Sequence, residues 1–324
     1  MNRHRAARSD SAGPIVMGMQ WGGRSDRRWG GRTVESSALA AFAPVVMLLP
    51  LCLVALAVFW LPFWLIGSVP YTWFALGYLL AASLLFIRKV QVLVLTRALG
   101  TRPPTRDERV RLDTAWRSVL QAARLPADRY VLAVLPAEEL NAFACGGHLV
   151  VVTTLAVDAL PRDELAGVLA HELSHHLGLH TVALTITHWL ALPVTVLARA
   201  GFYLQNVASA ATSSFASHSA ALTALGRLVS AVLTAASWVL LSGLIAANAI
   251  GNVAGRATEF QADERAVHLG FGAELSNALR RLIALGGGDR PRSWTERLAA
   301  THPPALTRVA RIEAVRRGHR AIQP

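Results

Sequence analysis

The sequence predicts a mainly α membrane protein, with about four transmembrane helices plus a small α+β domain that carries an HExxH motif on a helix beside a short sheet. Three observations predict it. Of the 324 residues, 53% are hydrophobic and only 16% charged, with a mean hydropathy of +0.39, whereas an ordinary soluble domain carries roughly 25% charged residues. Four long apolar runs interrupt the chain. Between the second and third lies a segment with strand-like and helix-like punctuation and the sequence His171-Glu172-Leu173-Ser174-His175. The composition excludes a wholly water-soluble globule and a disordered chain. Two cysteines, Cys52 and Cys145, exclude a disulfide scaffold and a cysteine-based zinc site.

The apolar runs come first in the chain. From Ser36 to Ile87 there is no Asp, Glu, Lys, Arg or His. A bilayer core takes about 20 apolar residues per helix, so this stretch predicts a transmembrane hairpin over 38–87. Its spans are Ala40–Ile66 and a short Tyr71–Ile87, turning at Gly67–Pro70. Pro44, Pro50 and Pro62 are expected to kink the first helix or set its limits. A second transmembrane pair is predicted over 182–250, as Val182–Leu204 and Leu228–Ile250. The small, uncharged stretch Gln205–Ser219 reads as a loop between them. His188, inside the third span, reads as hydrogen-bonded between helices.

Charge then orients the spans. Segment 1–37 carries Arg3, Arg5, Arg8, Arg24, Arg27, Arg28 and Arg32 against three acids, and reads as a disordered basic tail suited to anionic lipid. Arg88, Lys89, Arg97, Arg102 and Arg106 follow the second span with no acid before Asp107, while the Gly67–Pro70 turn has no charge. The positive-inside bias places both termini and the 88–181 segment in the cytoplasm of a multi-pass cell-membrane protein. Nothing in the sequence resembles a nucleic-acid module.

Outside the spans, Arg106–Leu125 has helical spacing, Tyr130–Leu135 reads as a strand, and Asn141–Thr153 reads as two strand pieces broken at Gly146-Gly147. Arg162–Leu177 is the best-marked helix: Pro161 stands at its start, Asp163 and Glu164 suit its N-terminus, and Gly178 ends it. Ala257–Leu269, Ala273–Leu285 and the basic Pro304–Arg317 read as further helices. The chain therefore divides into one soluble part over 88–181 and another over 251–324, either side of the second pair.

Within the marked helix, His171 and His175 lie four apart on one face, where two imidazoles bind one metal ion. Glu172 stands beside the first, within reach of a metal-bound water. A catalytic zinc takes a third protein ligand and keeps one position open. Glu259 suits that role, and Asp263, one turn on, suits a hydrogen bond to a ligand imidazole. His176 and His180, off that face or a turn away, read as packing or interfacial residues.

Together with NAFACGG (Asn141–Gly147), LVVVTT (Leu149–Thr154), HELSH, EFQAD (Glu259–Asp263) and THPPALTRV (Thr301–Val309), in that order over Arg106–Val309, the sequence resembles the integral-membrane zinc metallopeptidase family of HtpX and the CAAX prenyl endopeptidases. The resemblance implies a zincin-like metallopeptidase domain in a bacterial membrane, one Zn²⁺ per subunit on His171, His175 and Glu259, Glu172 as catalytic base and Asp263 behind the ligands. It implies Asn141 and the strand after it as substrate-binding, with Arg308 near the substrate and His302 near the oxyanion. The implied activity is metalloendopeptidase hydrolysis of membrane or misfolded proteins by glutamate-assisted attack of zinc-bound water. A signalling peptidase cleaving one regulator and a non-catalytic zinc-stabilised scaffold are the alternatives.

Overall fold

The computed structural model describes residues 41–178, 180–215, 219–286 and 303–322. The basic tail expected over 1–37 lies outside the described residues. Helices α1 (Ala43–Gly67), α2 (Tyr71–Leu84), α3 (Arg88–Leu99) and α4 (Arg106–Ala122) precede strands β1 (Val131–Leu135), β2 (Ala142–Cys145) and β3 (Leu149–Thr153). There follow α5 (Thr154–Ala159), α6 (Arg162–Leu177), α7 (His180–Phe215), α8 (Ala220–His268), α9 (Gly272–Ala284) and α10 (Ala305–Ile322). The chain is a mainly helical membrane protein with a small sheet.

By length and composition, α1, α7 and α8 can each cross a bilayer. The fourth candidate is α2 with α3, a pair bent by 91°. With 14 residues, α2 extends about 21 Å, short of a hydrocarbon core of about 30 Å. Pro50 and Pro62 lie inside α1, which continues through both, while Pro44 sits at its start. Leu48, Cys52 and Leu56 of α1 pack with Leu190 and Val194 of α7 and with Leu240 of α8 in a buried apolar cluster. Outward residues such as Leu65 and Ile66 are exposed, as lipid-facing positions are.

Two stretches differ from the sequence reading. Gln205–Phe215 is not a loop but the end of α7. It has no Gly or Pro, and Thr212 Oγ1 and Ser213 Oγ donate to the Ala208 and Ala210 carbonyls, so its hydroxyls are satisfied within the helix. The paired helices come close at small residues, Gly201 against Ser237 and Gly226 against Thr212. The helix expected at Ala257–Leu269 is the end of α8, whose 49 residues run unbroken from the last apolar run. Its length, about 74 Å, leaves more than 40 Å outside a bilayer core.

The soluble part is built around the sheet, in the order β1-β3-β2, with β1 parallel and β2 antiparallel to β3. The strands fall where the β-branched runs place them, and Gly146 turns the β2–β3 hairpin at φ +63°. Leu112 and Val119 of α4, Val152 of β3, Leu169 and Leu173 of α6 and Ile312 of α10 belong to one core. A capping box starts α4: Thr105 Oγ1 accepts from the Glu108 N–H while Glu108 accepts from the Thr105 N–H. The Arg102 guanidinium on Glu108 holds that carboxyl down at about 2. Gly167 lets the α9 backbone at Leu275 lie directly against α6, which draws the helix bearing HExxH into the core.

Candidate metal centre

Three helices converge on one buried cluster. From α6 come His171, Glu172 and His175, from α8 Glu259 and Asp263, and from α10 Arg308; all are buried. The four-residue spacing of HExxH points both imidazoles the same way. His171 Nε2 lies 3.2 Å from His175 Nε2 and 3.4 Å from Glu259 Oε2, and His175 Nε2 lies 3.2 Å from Glu259 Oε1. Bonds of about 2.0–2.1 Å to a tetrahedral ion would set neighbouring donor atoms about 3.3 Å apart. Each edge of this donor triangle is therefore near the donor spacing around one zinc ion, with the Glu259 corner shared between two atoms, Oε2 facing His171 and Oε1 facing His175. Among the described residues, His171, His175 and Glu259 are the group of His, Cys, Asp or Glu side chains able to hold a metal ion.

Behind the triangle, Asp263 Oδ1 accepts from His171 Nδ1 at 2.9 Å. This fixes the proton on Nδ1 and turns the Nε2 lone pair to the donor triangle. Arg308 then clamps Asp263 on two edges, Nε to Oδ2 at 2.9 Å and Nη2 to Oδ1 at 2.6 Å. Its Nη1 lies 3.4 Å from Glu259 Oε2. Burial and the Arg308 charge disfavour protonation of His171, but Asp263 and Glu259 outweigh them and raise its pKa. Burial likewise works against the Arg308 charge, and the surrounding carboxylates, Asp263 foremost, hold it on. Arg265 of α8 donates from Nη1 to the Ser174 carbonyl at 3.0 Å, closing the C-terminal end of α6 where its dipole favours a cation.

Glu172 lies against the sheet. Its Oε2 accepts from the Ala144 N–H of β2 at 2.8 Å. The Thr153 N–H donates to the Asn141 carbonyl at 3.0 Å, so by antiparallel alternation Phe143 and Cys145 pair inward with β3, whereas Ala142 and Ala144 turn their main-chain groups to the outer edge of β2.

The structure thus brings together His171, Glu172, His175, Glu259, Asp263 and Arg308. Asn141 stands exposed at the start of β2, with its N–H and carbonyl committed to Thr153. Arg308 is buried against the cluster, its Nη2 2.6 Å from Asp263 Oδ1 and 3.2 Å from His171 Nε2 and its Nη1 3.4 Å from Glu259 Oε2, where it supplies a counter-charge to two carboxylates. His302 lies outside the described residues. His176 is a packing residue, its Nε2 donating to the Leu149 carbonyl at 3.0 Å and its ring 5.0 Å from that of Tyr130. His188 bonds the Leu184 carbonyl in its own helix at 2.8 Å, so it does not bridge helices. The bond from Ala144 to Glu172 was not legible in the sequence, since a main-chain donor leaves no mark on residue type.

A model of peptidase family M48 matches residues 106–316. The Salinibacter ruber protein named protease HtpX homolog is 28% identical over 236 residues, 68% of this chain and 79% of that one. Protease HtpX of Shewanella oneidensis is 29% identical over 233 residues, 66% of this chain and 76% of that one. The crystal structure of S. mikatae Ste24p matches with a TM-score of 0.51 at 18% identity, over 80% of this chain. The match spans 62% of that chain, less than two thirds of its length, and shows a shared fold.

Proposed function

This chain belongs to peptidase family M48, and from that premise we propose that it is a zinc endopeptidase that cuts membrane-associated or misfolded proteins at the cytoplasmic face of the bilayer. Its family and its apolar helices make it a membrane metalloprotease. The observation that carries this proposal is the donor cluster, with the two imidazole Nε2 atoms 3.2 Å apart and a Glu259 oxygen 3.2–3.4 Å from each, set beside a carboxylate and an open strand edge.

His171, His175 and Glu259 would hold the metal. Zinc bound there would supply a Lewis acid for the scissile carbonyl and would lower the pKa of water to about 7. Glu172 takes a proton from the attacking water and returns it to the leaving amine. The Ala144 N–H on Oε2 fixes one edge of that carboxylate. The outward main-chain groups of Ala142 and the Ala144 carbonyl pair with an extended substrate as an added strand, so affinity comes from the backbone and tolerates many side chains. Asp263 keeps His171 in the tautomer that presents Nε2. Asn141 sits at the entrance of β2, where its exposed side chain can meet the substrate.

Two placements support the choice of substrate and side. Glu259 lies nine residues beyond the last apolar run on the same helix, about 14 Å along its axis. The site is therefore near the bilayer surface, within reach of juxtamembrane segments. The cations at Arg88, Lys89 and Arg97, against a charge-free Gly67–Pro70 turn, favour a cytoplasmic domain.

The test uses full-length protein in detergent with fluorescein-labelled casein as an unfolded substrate. Chelation is expected to abolish cleavage, and one equivalent of Zn²⁺ to restore it. Cleavage that survives removal of the metal would end this reading.

A further inference from the structure

We propose that Gln91, eighty residues upstream of the HExxH motif, is a positioning residue for the active-site edge strand. It ties the bend between α2 and α3 to the turn of the β2–β3 hairpin.

Gln91 is on the helix that leaves the first hairpin, yet its side chain is wholly buried. Nε2 donates to the Leu85 carbonyl at 2.7 Å, just past the end of α2. Oε1 accepts from the Gly147 N–H at 2.8 Å. Both partners have fixed polarity, a carbonyl and an amide N–H, so the carboxamide can face only one way. His148 Nδ1 lies 3.0 Å from the same Oε1, and since that oxygen only accepts, the ring carries its proton on Nδ1. One side chain thus satisfies a carbonyl at the bend and two donors of the hairpin turn.

The turn is shaped to receive it. A Cβ on Gly146 would fall 2.5 Å from Gln91 Cδ, and Gly146 also holds a left-handed φ of +63°. Only glycine suits a position strained on both counts. Two residues before this turn, Ala144 donates to Glu172. The connection runs Leu85 carbonyl, Gln91 carboxamide, Gly147 N–H, β2, Glu172. No role in the chemistry itself falls to Gln91, which touches neither metal ligands nor the strand's open edge. Its effect is on where β2 lies against α6.

This inference rests on β2 being the substrate strand and Glu172 the base. The test compares full-length wild type, Gln91→Met and Gln91→Glu in detergent, with metal content, casein kinetics and amide hydrogen exchange of residues 142–149. With Gln91→Met, metal stays at the wild-type ratio, exchange over 142–149 speeds up, and kcat/KM falls about 10- to 100-fold, as a misplacement near 1 Å produces. KM rises as part of that loss. Gln91→Glu keeps an oxygen for Gly147 and His148 but sets its other oxygen against the Leu85 carbonyl, so it breaks only the tie to the bend, and its KM is expected between those of wild type and Gln91→Met. A protein that had merely lost stability would show fewer active molecules with unchanged KM. Unchanged exchange over 142–149 in Gln91→Met overturns the proposal whatever the activity. Accelerated exchange in a protein whose wild type cleaves no better than Glu172→Gln would instead reject the peptidase reading and leave the Gln91 link standing.

Discussion

Replacing Glu172 by Gln is expected to lower casein cleavage by about 10²- to 10⁴-fold, the range of a lost general base, while metal content stays at one per chain. The two halves of this result have separate causes. Glu172 is not one of the three residues of the donor cluster, so the metal would keep its ligands. Glutamine also retains an oxygen to accept from the Ala144 N–H, which keeps β2 in place. What it lacks is the ability to take a proton and give it back. Cleavage within about tenfold of wild type, too little for loss of a general base, would remove Glu172 from the mechanism.

Arg308→Met is expected to destabilise the fold by about 3–5 kcal/mol, the cost of breaking a buried ion pair from one side. The guanidinium is buried and holds Asp263 with two hydrogen bonds, at 2.9 and 2.6 Å. Without it, Asp263 is a buried anion whose nearest compensation is His171. Removing the anion as well, in Arg308→Met with Asp263→Leu, should recover much of that loss. Chemical denaturation of the single and double variants in detergent measures the coupling directly. Strictly additive effects would show that the two side chains do not act as a pair. The double variant still lacks the acceptor on His171 Nδ1, so its metal affinity should remain about 10- to 100-fold weaker than that of wild type. Stability and metal binding are thereby separated in one protein.

Local signals were the legible part of the sequence. Pro161, Asp163, Glu164 and Gly178 bracket α6 within a residue of its ends, and the glycine pair at 146–147 splits β2 from β3 where φ turns positive. The four-residue spacings of His171 with His175 and of Glu259 with Asp263 put each pair on one face of its helix. Polarity was the misleading signal. The change from apolar to polar at Gln205 and again after Ile250 marks where a helix leaves an apolar environment, and both α7 and α8 continue through it. Helix continuity depends on backbone hydrogen bonds and on packing of the two helices, which hydropathy does not record. Arg308 was legible as a residue near the site but not as the partner of Asp263, because a pair 45 positions apart exists only once α8 and α10 have packed. Ala144 and Gln91 act through a main-chain N–H and a carboxamide, which carry no charge or metal-ligand signature to single them out.

The central claim is that a carboxylate from α8 completes a metal site begun by two imidazoles on α6. Metal analysis of purified full-length wild type and Glu259→Ala, by inductively coupled plasma mass spectrometry, tests it most directly. The account predicts about one zinc per chain in wild type, as three protein ligands hold a catalytic zinc, and loss of that zinc in Glu259→Ala. A Glu259→Ala protein that keeps its full zinc content and its cleavage activity would contradict it.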